Sequence, residues 1–336
     1  EASAYGASCL DTASLSAIAE ILSRLALLGP PLSSQCARGD VVAVLADSGA
    51  FAPDAASRVT VNALLVASQL ARTAGERRSS SQQQPGQQQQ QHDEQEDEAS
   101  AALCRVSLDR CLPSLLTREN PTIRAKTCNL VGNLCRHSDA FYGLLVAFCE
   151  NDTTPLACVV ACAADSDGPT RKFACFALGN AAFHSAALYG HLAEAVAPLV
   201  AALRTDGDEK TRANAAGALG NLARNGGVLC PDLVRHGAVL ALLNTASADS
   251  AEAPRRIAIF SLGTLVTWSD VRHHLDREPH LRHRILAIVR DAQPTTCDPT
   301  IVRYAARLRA KLHAPPADDD FSHHHAPRNN HNNKHS

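Results

Sequence analysis

Methionine is absent from the 336 residues, tryptophan occurs once, and aromatic side chains make up only 4%. Large rings are the bulky fillers of ordinary cores. A chain that is 45% hydrophobic with so few rings must fill its interior with Ala, Leu and Val, which suits a thin layer between helices. No apolar run approaches the ~18 residues of a membrane span; "PLACVVACAA" at 155–164 is among the longest. The formal charge of −2 leaves no excess of either sign, so nothing pulls the whole chain toward nucleic acid or anionic membrane. No C-x-x-C pair occurs among the twelve cysteines, which argues against a zinc ribbon or a thioredoxin-type site. Without a visible secretion signal, those thiols suggest a reducing, cytoplasmic compartment. The chain begins at Glu1, so a processed product or a piece of something longer is expected.

Catalytic signatures are missing too. There is no G-x-G-x-x-G loop opening a strand, no V-A-I-K, no H-R-D and no D-F-G. "DDDFS" at 318–322 fails at its last residue, and "HHLDRE" at 273–278 only scrambles catalytic-loop letters. Nor is there a P-loop or an H-E-x-x-H pair. No catalytic residue, metal ligand or cofactor is assigned.

What is present is repetition. "RAKTCNLVGNLCRHS" begins at Arg124, "RKFACFALGNAAFHS" at Arg171, "RANAAGALGNLARNG" at Arg212 and "RRIAIFSLGTLVTWS" at Arg255. Glycine stands eight residues after each arginine, at Gly132, Gly179, Gly220 and Gly263, although it costs a helix roughly 1 kcal/mol relative to alanine. The next residue is Asn133, Asn180, Asn221 and then Thr264. A period of about 40–47 residues is that of armadillo and HEAT solenoids. Glycine kept in phase implies close helix–helix approach between stacked units. The fold expected is therefore an all-α armadillo/HEAT-type α-solenoid. Cys128 and Cys175 share an apolar register, four after the arginine, and read as small core residues.

The layout divides into four stretches. Residues 1–74 read as degenerate helical repeats, with the amphipathic "LDTASLSAIAEILSRLALL" stopped by Gly29-Pro30-Pro31. Residues 75–100, with "SSSQQQPGQQQQQHDEQED", form a low-complexity insertion too polar to fold. The repeat solenoid spans 101–313, ending in helices at 279–292 and 298–312. The His/Asn-rich tail, 314–336, is expected to be disordered. Asn120-Pro121 and "DSDGPT" place capping residues and N-terminal prolines at helix starts.

With the arginine at position zero, positions +3, +4, +7 and +11 form the buried stripe. A second stripe at +5, +9 and +12 carries the candidate partner-binding groove. It holds Phe176 and Phe260 at +5, Asn133, Asn180, Asn221 and Thr264 at +9, and Arg136 and Arg224 at +12. A carboxamide donates and accepts, so stacked asparagines can pair with an extended peptide backbone. Helices about 8–10 Å apart give one rung per roughly three ligand residues of ~3.3 Å each. The arginines favour acidic residues in that segment. The alternative is that the asparagines bond loops or neighbouring helices within the solenoid.

"GALGNLARN" is similar to the third-helix pattern of armadillo repeats. The importin-α type adds tryptophan four residues before the asparagine, where this chain has Asn129, Phe176 and Gly217. "TRKFACFALGNAAFHSAALY", "DEKTRANAAGALGNLARNGGVLCPDLVRHGAVLALL" and "RRIAIFSLGTL" together resemble the C-terminal armadillo region of Fused-type (Two-in-one-like) serine/threonine kinases, over about 120–275. The resemblance implies a non-catalytic scaffold for protein partners, with any kinase domain upstream. It also implies cytoskeletal or ciliary association and roles in signalling, cilium assembly or cytokinesis. A free-standing armadillo adaptor and an importin-like receptor remain as alternatives. Neither nucleic acid nor membrane is expected as a partner.

Overall fold

The computed structural model describes residues 11–29, 32–33, 35–36, 40–81, 108–147, 153–294 and 297–317. The glutamine tract from residue 82 and the histidine-rich tail beyond residue 317 lie outside them. Among the described residues every regular element is helical. The chain opens with α1 (Thr12–Leu27), α2 (Val41–Asp47) and α3 (Ser57–Ser81), then α4 (Leu108–Leu116) and α5 (Pro121–Leu134). Three-helix units follow: α6 (Tyr142–Leu145), α7 (Pro155–Cys162) and α8 (Gly168–Ala181); then α9 (Tyr189–Leu192), α10 (Val196–Thr205) and α11 (Glu209–Leu222). The next unit is α12 (Cys230–Arg235), α13 (Ala238–Ala248) and α14 (Glu252–Leu265), and the last α15 (Ser269–Arg277), α16 (Pro279–Asp291) and α17 (Pro299–His313). Helices α3, α5, α8, α11, α14 and α17 pack side by side, each on the next. This is an armadillo/HEAT-like solenoid.

Helix starts follow local chemistry. The side chains of Asn120, Asp167 and Asp208 accept the free N–H groups of Thr122, Thr170 and Thr211. The expected stripe is buried: Ala174, Cys175, Leu178 and Ala182 are all sealed from solvent. Burial pushes the Cys135 and Cys175 thiols up to about 12, so they are packing groups rather than thiolate ligands or nucleophiles.

Two boundaries differ from the sequence expectation. Helix α3 continues to Ser81, past the limit set at residue 74. Ala, Glu and Arg in "ARTAGERR" are good helix formers that prolong it despite their polarity. At the other end, Ala317 N–H donates to the Thr267 carbonyl (3.0 Å), and the Arg272 guanidinium donates to the Ala314 carbonyl (2.6 Å). Backbone hydrogen bonds tie this short Ala-Pro-Pro-Ala stretch down, and Ala317 packs against the core.

The phased arginines are struts between units. Arg124 donates from Nε and Nη2 to Asp165 (2.7 and 2.8 Å), and Arg212 does the same to Asp249 (2.7 and 2.8 Å). Arg171 Nε donates to Asp206 at 2.6 Å. Each Nη1 also donates to two carbonyls of the loop before its own helix. The aspartates lie 41, 35 and 37 residues after their arginines. Asp291 lies 36 after Arg255 (291 − 255), yet it pairs with Arg290 at 2.9 Å. Arg255 Nε is buried with no hydrogen bond, beside a cavity of about 470 Å³.

The phased glycines are not equally crowded. A Cβ on Gly220 would sit 2.7 Å from Ser261 Cβ and 3.0 Å from its Cα; one on Gly179 would reach Ala218 at 3.4 Å; one on Gly263 would have nothing nearer than 3.8 Å. A Cβ on Gly132 would strike the Phe176 ring. Gly220→Ala should therefore lower stability by about 1–3 kcal/mol through overpacking. Gly263→Ala should be neutral or stabilise by up to ~1 kcal/mol through helix propensity. Urea midpoints of the two variants check this ordering.

Candidate functional site

The +9 and +12 positions lie on the face where α3, α5, α8, α11, α14 and α17 run side by side. The asparagines are tied to that stack. Asn180 Nδ2 donates to the Gly132 carbonyl (2.8 Å) and Asn221 Nδ2 to the Gly179 carbonyl (2.9 Å), each the glycine of the preceding unit. Asn133 is 7% exposed and donates to Ser68 Oγ at 2.8 Å. One amide hydrogen of each is thus spent on the scaffold. The Oδ1 atoms of Asn180 and Asn221 accept no hydrogen bond among the described residues, and both side chains are half-buried. A fixed amide with a spare acceptor and a second N–H is a preorganised contact for a peptide backbone.

Phe176 lies over Gly132 and lines a groove of about 520 Å³ with Asn129, Asn133 and Arg136. The same groove takes Leu65, Ser68, Gln69 and Arg72 from α3, Phe173 from α8, and Asn214 from α11. Lys172 and Lys210 stand at its edge, and no carboxylate is among its described lining residues. Further along, Arg224 sits over the Phe183 ring (4.2 Å) and Arg307 over the Phe260 ring (5.5 Å). Lys311 Nζ donates to Thr267 Oγ1 at 3.0 Å. Its ammonium is pushed below the usual value, first by burial and then by Arg307 and Arg224. Thr264, half-buried on α14, continues the +9 row. Phe260 packs against Tyr304 (5.1 Å) at the same end.

The sequence reading did not single out Lys172, Lys210, Arg307 or Lys311, because they fall off the +5, +9, +12 register. It also missed two tyrosines. Tyr142 O–H donates to the Asn180 carbonyl (3.2 Å) and Tyr189 O–H to the Asn221 carbonyl (2.6 Å), so each holds the end of the helix that carries the asparagine. The signal was there: "FYG" at 141–143 recurs as "LYG" at 188–190, the same 47 residues apart as Arg124 and Arg171. His184, just past the end of α8, places Nε2 3.1 Å from the Arg136 carbonyl, linking two units.

The HEAT-like repeat family model matches residues 168–222. Among solved structures, the chain is similar to a designed armadillo repeat protein in complex with the peptide (KR)4: 16% identity over 78% of this chain and 96% of that one, TM-score 0.60. It is also similar to a computationally designed armadillo repeat protein for modular peptide recognition (21% identity, 76% and 94% coverage, TM-score 0.60). An engineered protein aligns over 94% of this chain and 84% of its own (17% identity, TM-score 0.58). The curated proteins yield no match. The chain thus has the fold of an armadillo/HEAT-like solenoid. No helix among the described residues is long and apolar enough to cross a membrane, and they hold no cluster of metal-ligating side chains.

Proposed function

We propose that the chain is a non-catalytic scaffold that binds an extended, acidic protein segment along the asparagine face. The observation that carries this reading is a groove with no carboxylate among its described lining residues, bordered by Arg136, Lys172 and Lys210 and lined by the anchored Asn129, Asn133 and Asn214. The (KR)4 peptide of the designed relative is basic; the positive edge here selects the opposite charge. The test is fluorescence anisotropy with labelled (DE)4 and (KR)4 octapeptides at low salt. The (DE)4 peptide should bind and weaken steeply with salt. Preference for (KR)4, or no binding of either, contradicts the reading.

A finer context belongs to the same proposal. The segments at 170–189, 208–243 and 255–265 resemble, in order, the repeats of Fused-type kinases. On that reading the chain is the C-terminal interaction region of a cytoplasmic Fused-like kinase in signalling, cilium assembly or cytokinesis. The coding sequence upstream of Glu1 tests it: a kinase domain supports the reading, and its absence leaves a free-standing adaptor.

A further inference from the structure

We propose that the groove on α3, α5, α8 and α11 has an internal ligand, the acidic run Asp93–Glu98 of this same chain. This deepens the proposed function and rests on its reading of the groove. The run "DEQEDE" carries five carboxylates in six residues, in a chain whose total charge is −2. It belongs to 82–107, outside the described residues, but both its anchors are described: α3 ends at Ser81 and α4 begins at Leu108. Helix α3 is itself a wall of the groove, through Leu65, Ser68, Gln69 and Arg72. Arg72 lies nine residues, or about 13 Å, before Ser81 on that helix.

Reach is ample. Twelve residues from Ser81 to Asp93 can span up to about 40 Å, and ten from Glu98 to Leu108 about 33 Å. The charges match: Arg136, Lys172 and Lys210 face a run whose carboxylates have no lysine or arginine among them. Tethering supplies the rest, since a linker of this length holds its segment at an effective concentration of order 1 mM. A segment that binds with a dissociation constant near ~0.1 mM then weakens an external competitor by about tenfold. The external partner must therefore outcompete the run, which sets a threshold for its charge and length.

The experiment uses the full chain, with Asp93, Glu94, Glu96, Asp97 and Glu98 replaced by Asn or Gln, and labelled (DE)4 as probe. The neutralised chain should bind the probe about tenfold more tightly than wild type, with its cooperative melt retained at a slightly lower temperature, since the wild-type run stabilises the folded groove it occupies. A free peptide of residues 90–100 should displace the probe from it. Adding Lys172→Glu and Lys210→Glu should abolish the gain. Equal probe affinity in wild type and neutralised chain overturns the internal ligand and leaves the groove reading standing. Failure of the probe to bind the neutralised chain overturns both. A gain in affinity that the free 90–100 peptide does not reverse places the run elsewhere and overturns the proposal.

Discussion

Arg212→Met should cost about 3–5 kcal/mol, whereas Arg255→Met should be close to neutral. The two arginines occupy one register, and sequence alone would treat them alike. Arg212 and Asp249 are 15% and 6% exposed and share two short bonds, while Arg212 also closes two loop carbonyls. Removing the guanidinium strands a buried carboxylate, and burial without a partner costs more than the pair contributes. Arg255 makes no direct ion pair among the described residues, only a longer-range attraction to Asp249, and its Nε already carries the desolvation penalty unanswered. Methionine keeps the packing of the stem and removes that penalty. Acid adds a second readout. The hydrogen bond from Arg212 holds the Asp249 carboxyl below its ordinary 3.8. The folded state then binds fewer protons than the unfolded one, so this stability is complete above about pH 3.8 and drains away as pH falls through the lowered folded value. Urea melts at neutral pH and near pH 3.5 should show Arg212→Met destabilised at both, with a shallower acid loss than wild type. An Arg255→Met penalty as large as that of Arg212→Met would mean the fourth rung is closed.

Reversing the groove edge is the second large effect. Arg136→Glu, Lys172→Glu and Lys210→Glu together should weaken (DE)4 binding by at least about 100-fold. Each exposed ion pair is worth up to about 1 kcal/mol, and reversal adds repulsion to the lost attraction. Three such changes amount to about 3 kcal/mol, and every 1.4 kcal/mol is tenfold. None of the three forms a direct ion pair with a described residue, and only Lys172 also attracts a neighbouring carboxylate, Asp208, so the melting temperature should fall at most slightly. Salt should erase most of the difference, because exposed charges are screened within about 10 Å at 0.1 M. Binding unchanged by the triple reversal would show that the acidic segment docks elsewhere.

The unit architecture was legible because one pattern did two jobs. The phase of Arg171, Gly179 and Asn180 marked the repeat, and the apolar stripe at Ala174, Cys175 and Leu178 marked its buried face. What the phase meant was less legible. The arginine's partner lies 35–41 residues away on a loop of the next unit, and no local periodicity connects Arg171 to Asp206. Open Arg255 shows the limit: its spacing to Asp291 fits the ladder, and only side-chain geometry shows that Asp291 has turned to Arg290. Asn180 and Asn221 hold the scaffold with one amide hydrogen while their Oδ1 atoms accept no hydrogen bond among the described residues, so a structural role does not exhaust their hydrogen-bonding capacity. The groove's positive edge was hidden because Lys172 and Lys210 converge from different positions in two units. Most of the insertion (82–100) and most of the tail (318–336), where composition led to an expectation of disorder, lie outside the described residues.

Location is the central claim, and photo-crosslinking of a bound peptide tests it most directly. An acidic octapeptide carrying a central photo-reactive phenylalanine would be irradiated with the full chain, and its adducts mapped by mass spectrometry. Adducts should fall on Phe173, Phe176, Asn214 and their neighbours on α5, α8 and α11, and disappear with excess unlabelled peptide. Adducts confined to α7, α10, α13 or α16, on the other layer of the solenoid, would contradict the account.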